Sequence, residues 1–175
     1  MLRTFGYRKY NFFHLLVLLT LAVMLGTVSS LTLVKPATAS ETQSCEFMPD
    51  KELQAQTIVS IVLEALRTNE PGDAGIAQVF CFASPANKAV TGPLERFAKM
   101  IRGGYGDMLN HSNSEVEPLE MNGDKAQQRV WLETPSGSVV GYLFQLGKQN
   151  SGEHDGMWMT EAVYRLDPAE RRQSI

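Results

Sequence analysis

The sequence predicts an α+β domain in which three helices pack on one face of a curved, antiparallel, four-stranded sheet. Three observations carry this. Apolar residues recur at helical spacing from about residue 50 to 102, the spacing switches to period two after Gly104, and Asn122-Gly123 stands between alternating runs as a hairpin signal. Helices come first and strands follow one another, so the strands form a meander without crossover helices.

The first helix is expected over 50–68. Pro49-Asp50 introduces it, and Asp50 and Glu52 lie near its positive end. Ile58, Ile61, Val62, Ala65 and Leu66 make the apolar stripe, and Val59 and Leu63 widen it, so the helix packs on more than one side. Pro71 and Gly72 fall in the segment that ends it. The second helix is expected over 74–83, with Ile76, Val79, Phe80 and Ala83 facing the core. The third is expected over 93–102, with Pro93 in its first turn and Leu94, Phe97, Ala98 and Ile101 on one face. Gly103-Gly104 stops it.

The strands are expected at 114–121, 127–134, 138–146 and 157–166. Pro118 makes the first an edge strand or a bulged one, because proline cannot donate to a ladder. Val140, Tyr142, Phe144 and Leu146 share one face of the third. A Gly-, Asn- and Ser-containing loop, 147–156, leads to the last strand, and 168–175 reads as a loose charged tail.

Residues 1–39 belong to a different class. Arg3, Arg8 and Lys9 give a basic start, Phe12 to Leu25 is nearly all apolar, and Ala37-Thr38-Ala39 is a small-x-small site. That is the layout of a secretory signal peptide, with cleavage expected after Ala39. The alternative is an uncleaved anchor over 12–34, long enough to span a bilayer at 1.5 Å rise per residue. Either way the domain, 49–167, is extracytoplasmic: periplasmic, in a thylakoid lumen, or secreted. Residues 40–48 are expected to be a flexible linker.

All 19 acidic residues lie beyond residue 39 with 12 of the 16 basic ones, a formal charge of −7. Such a domain repels nucleic acid and anionic lipid, which leaves the N-terminal segment as its one route to a membrane. Cys45 and Cys81 are the only thiols. In an oxidising compartment the pair forms a disulfide across a 35-residue gap; otherwise Cys81, between Phe80 and Phe82, is a small buried apolar side chain and Cys45 is free. So few ligands give no metal cluster of recognisable spacing, and no cofactor is implied.

Three stretches resemble a known family: Phe80-Cys81-Phe82-Ala83-Ser84-Pro85, Gly92-Pro93-Leu94-Glu95-Arg96-Phe97, and Met100-Ile101-Arg102-Gly103-Gly104-Tyr105. With Gln127-Gln128-Arg129-Val130 they resemble the bacterial family catalogued as domain of unknown function 4864, over about Gln54 to Arg165. That family is similar to the nuclear transport factor 2-like (NTF2-like, or SnoaL-like) superfamily. The resemblance implies a helix-backed, strongly bent sheet closing into a cone that can hold a small molecule. The superfamily includes isomerases, dehydratases and non-catalytic binding or dimerising domains, so the fold assigns no activity. Cys81 and the 147–156 insertion depart from the family's pattern.

No residue carries a catalytic signature. His111 and His154 lie in polar loop-like surroundings, Glu115, Glu117 and Glu120 read as a solvated strand face, and Glu133 and Glu161 are expected at strand tips or rims. The aromatics mark a ligand cavity better: Tyr105 and Met108 after the third helix, Arg129 and Trp131 on one strand face, and Trp158 with Tyr164 on another. The same faces would serve equally as packed core or as a homodimer surface. The function expected is therefore non-catalytic, binding a small apolar ligand or a protein partner. An isomerase- or dehydratase-type enzyme with a cavity carboxylate, and an accessory protein tethered to a membrane complex, are the alternatives.

Overall fold

The computed structural model describes residues 45–171. The signal or anchor over 1–39 lies outside the described residues, as do 40–44 of the linker and 172–175 of the tail. The described chain is α+β, with helices α1 (Ala55–Arg67), α2 (Ala74–Cys81), α3 (Pro85–Thr91), α4 (Leu94–Gly104) and α5 (Pro168–Arg171). Its strands are β1 (Asn113–Val116), β2 (Glu120–Asn122), β3 (Lys125–Glu133), β4 (Val139–Lys148) and β5 (Trp158–Leu166). All strand pairs are antiparallel, in the order β1-β3-β4-β5, with β2 also pairing β3.

Four boundaries differ from expectation. The first helix starts at Ala55, because Asp50 closes a turn: its carboxylate accepts the Glu52 N–H and its carbonyl accepts the Leu53 N–H. An additional helix, α3, begins at Pro85, with Ser84 as N-cap accepting the Asn87 N–H at 3.1 Å. The expected 114–121 strand is two strands, β1 and β2, because Pro118 breaks the ladder between them; the sheet therefore has five strands, not four. The tail opens with a helical turn, α5, where Pro168 takes the first position and the Asp167 carboxylate accepts the Ala169 N–H. The Asn122-Gly123 turn joins β2 to β3, with Gly123 at φ +58°.

The core lies between the helices and one face of the sheet. α1 buries Ala55, Ile58, Val59, Val62, Leu63 and Leu66, two sides of one helix, as its wide stripe requires. Each of the larger side chains gains roughly 1.5–3 kcal/mol from burial before entropy is counted. Across from it, Val130 and Leu132 of β3 and Tyr142, Phe144 and Leu146 of β4 are almost fully buried. α2 crosses α1 so closely that a Cβ on Gly75 would collide with the Ala65 carbonyl.

Residues 45–48, expected as linker, are tied down. Cys45 is disulfide-bonded to Cys81 at a Cα–Cα distance of 6.3 Å. The Gln78 amide clamps the Phe47 backbone from both sides, accepting its N–H at 3.0 Å and donating to its C=O at 2.7 Å.

Candidate functional site

β5 ends the sheet, so one of its edges has no full strand beside it. The segment after α2 covers only the beginning of that edge. Ala83 bridges Thr160 in parallel, Thr160 donates to the Phe82 carbonyl at 2.8 Å, and Ser84 donates to the Thr160 carbonyl at 2.9 Å. Pro85 then fixes the first turn of α3, which carries the chain off the edge. Gly92, at φ +83°, and Pro93 start α4 in a new direction. What the diverging helices leave beside β5 is a groove of about 400 Å³.

Its walls are apolar: Val62 and Leu66 of α1, Val79 of α2, Phe97 and Ile101 of α4, and Phe144 of β4. Five consecutive β5 residues, 160–164, complete it. Because successive side chains alternate between faces, a cavity touching five in a row runs along the strand's edge. Val90 and Tyr164, exposed at 75 % and 53 %, stand among its lining residues.

Two side chains take the place of the missing strand. Asn87 Nδ2 donates to the Glu161 carbonyl at 2.9 Å, and the Tyr105 hydroxyl donates to the Val163 carbonyl at 3.1 Å. The Glu161 carboxylate is held on both oxygens, by Ser84 Oγ at 3.0 Å and Gln149 Nε2 at 2.9 Å. Glu161 is the only acid, and no Lys, Arg or His is present, among the groove's lining residues. Thr160 is 5 % exposed, and its Oγ1 has no hydrogen-bond partner among the described residues.

Of the ligand candidates read from sequence, Tyr105 and Met108 line the groove, whereas Arg129, Trp131 and Trp158 do not. Arg129 and Trp131 lie on the opposite face of the sheet, in the other phase of β3 from Val130 and Leu132. Arg129 pairs with Glu120 at 3.1 Å. Trp131 is buried opposite Gly141; its Nε1 donates to Glu117 at 2.7 Å, and the Arg171 guanidinium lies over its ring. Trp158 is part of the packed core. Trp158 and Tyr164 do not share a face, because the register slips between Gln145 and Leu146. Thr160 pairs with Leu146 and Val163 with Phe144, so the extra residue in β5 turns Tyr164 outward.

His111 is buried, its Nδ1 2.9 Å from the Met108 carbonyl, and takes no part in the groove. His154 closes a short 3₁₀ turn, and Glu133 is exposed at the end of β3. Sequence reasoning missed Asn87 and Thr160. Ser84-Pro85 was the legible signal for α3, an N-cap followed by a first-turn proline. Nothing local marked Thr160, whose position depends on the bulge.

Among the comparisons with known proteins, the family described as Domain of unknown function (DUF4864) matches residues 49–173. No curated protein and no solved structure matches the chain.

Proposed function

Starting from the chain's membership of the domain of unknown function 4864 family, a description that assigns no activity, we propose that this is an exported, non-catalytic domain that holds a small apolar ligand in the groove beside β5. The observation that carries the reading is the groove itself: about 400 Å³, apolar walls, and a few polar groups along one strand edge. That volume and composition fall in the range of small-molecule sites. A likeness to the nuclear transport factor 2-like fold, with its helix-backed cone, supports the same reading by analogy alone. Export rests on the basic and apolar layout of residues 1–39, and the Cys45–Cys81 bridge suits an oxidising compartment.

A small molecule fits better than a protein partner. A peptide added to the β5 edge would pair with the carbonyls of Glu161 and Val163, which Asn87 and Tyr105 already hold. An isomerase or dehydratase needs an acid or base facing the cavity. Glu161 is the one candidate, and neutral donors engage both of its oxygens.

The test is binding of the small fluorescent probe 1-aminoanthracene to the full chain. Fluorescence should rise on binding, and Ala86→Trp, an exposed position lining the groove, should weaken that binding several-fold. No enhancement, or one indifferent to Ala86→Trp, refutes the proposal.

A further inference from the structure

We propose that the groove beside β5 takes an uncharged single-chain lipid, a fatty alcohol or alkyl ester, with an unbranched chain of about ten carbons. This assignment rests on the reading of the groove as a small-ligand site. It follows from the groove's length and volume, and from a lining that offers nothing to receive an anionic head.

Two walls give the same length. On the strand side the lining runs from Thr160 to Tyr164, about 13 Å at ~3.3 Å per residue. On the helix side it follows α4 through Phe97, Met100, Ile101 and Tyr105, a stripe about 12 Å long at ~1.5 Å per residue. The strand-side wall begins where the Phe82–Ser84 clip covers the β5 edge, and it ends one residue past the Tyr105 bond to the Val163 carbonyl. Spread over that length, the volume of about 400 Å³ leaves a cross-section of roughly 30 Å², room for one chain but not for two side by side. An extended chain of about ten carbons, with C–C bonds of ~1.5 Å, is about 12 Å long. The same volume holds on the order of ten to fifteen groups of ~30 Å³, so length and volume agree on one chain with a small head.

The lining decides the charge. It contains no Lys, Arg or His, and Glu161 is its one acid. Lys88, next to Asn87 in α3, is directed elsewhere: its Nζ donates to the Cys81 carbonyl at 3.4 Å and stands over the Phe80 ring. Asn87, Thr91 and Tyr105 already donate within the protein, to the carbonyls of Glu161, Asn87 and Val163. A carboxylate head pressed against these walls loses its hydration without gaining a partner. At the rim, where Val90 and Tyr164 are exposed, it meets no lining cation and is repelled by a chain carrying −7 beyond residue 39. A neutral hydroxyl or ester at the rim suffers neither effect.

Displacement of 1-aminoanthracene from the full chain, by 1-alkanols of six to fourteen carbons and by decanoate at neutral pH, tests both properties. Affinity should rise about three- to four-fold per added methylene up to about ten to twelve carbons, then level off or fall. 1-Decanol should bind about ten-fold or more tighter than decanoate. Val90→Lys, at a lining position that is 75 % exposed, should strengthen decanoate binding about three- to five-fold by supplying the missing cation. An affinity that climbs at the same rate to fourteen carbons, or peaks at six, overturns the assigned length. Decanoate bound as tightly as decanol, or indifferent to Val90→Lys, overturns the assigned charge. Each of these outcomes, like 1-aminoanthracene that binds but is displaced by no alkanol, sinks the proposal and leaves the groove reading standing. Failure of 1-aminoanthracene to bind at all overturns the groove reading itself.

Discussion

The Cys45–Cys81 bridge closes a loop with a sequence separation of 36 and anchors the segment entering α1 to the last turn of α2. In the chain-entropy account, a loop of that length removes about 3–4 kcal/mol of freedom from the unfolded chain. Replacing both cysteines by alanine avoids leaving a buried hydroxyl at Cys81, which is only 7 % exposed. The Cys45→Ala/Cys81→Ala protein should therefore lose about 3–4 kcal/mol. At a slope of about 2 kcal/mol/M, the urea midpoint drops by about 2 M. The slope itself should rise, because an unlinked denatured chain exposes more surface. Gln78→Ala offers an internal check. It removes both hydrogen bonds to the Phe47 backbone and should cost about 1–3 kcal/mol when the bridge is intact. Once the bridge is gone the strap is already released, so the combined variant should fall well short of the sum. Urea unfolding of the full chain, followed by circular dichroism, reads both. A midpoint unmoved by loss of the bridge, or full additivity with Gln78→Ala, would refute the reasoning that the two features hold one strap.

Two further outcomes test the sheet. Burial, opposed in smaller part by the Arg165 charge and aided by Asp107 and Tyr105, raises the Tyr142 hydroxyl above its ordinary value of 10.0, and that hydroxyl has no hydrogen-bond partner among the described residues. The folded state thus keeps this proton at a pH where the unfolded chain releases it, so the stability it contributes is present below pH 10 and lost as pH rises beyond it. Tyr142→Phe should be neutral or stabilising by up to about 1 kcal/mol at pH 7, and should flatten the alkaline loss in a pH series of unfolding midpoints. Gly141 faces Trp131 across the β3–β4 ladder, and a Cβ there would run into the indole ring. Gly141→Ala should cost about 1–3 kcal/mol by displacing the ring, with a shift in tryptophan fluorescence as the Glu117 hydrogen bond is lost. An unchanged spectrum would show that the ring does not rest on Gly141.

The sequence by itself determined the architecture wherever the signal was local. The stripe of α1, the alternation of β3 and β4 and the Asn122-Gly123 turn each reflect a period or a backbone preference set within a few residues, and each appears in the structure. The pairing of Cys45 with Cys81 needed only a count of thiols and an inferred compartment. The groove was decided by tertiary structure. Tyr105 and Met108 were legible because they follow directly on a helix that faces the core. Arg129 and Trp131 share a face, as their spacing requires, but it is not the face that meets the groove, because strand periodicity tells which residues share a face and not which face meets the helices. Trp158 and Tyr164 were separated by one extra residue in β5, whose presence depends on the register against β4. Thr160 comes to line the groove only where that slipped strand, the Phe82–Ser84 clip and two diverging helices meet, a juxtaposition of residues up to 78 positions apart (Phe82 to Thr160) that no local pattern encodes.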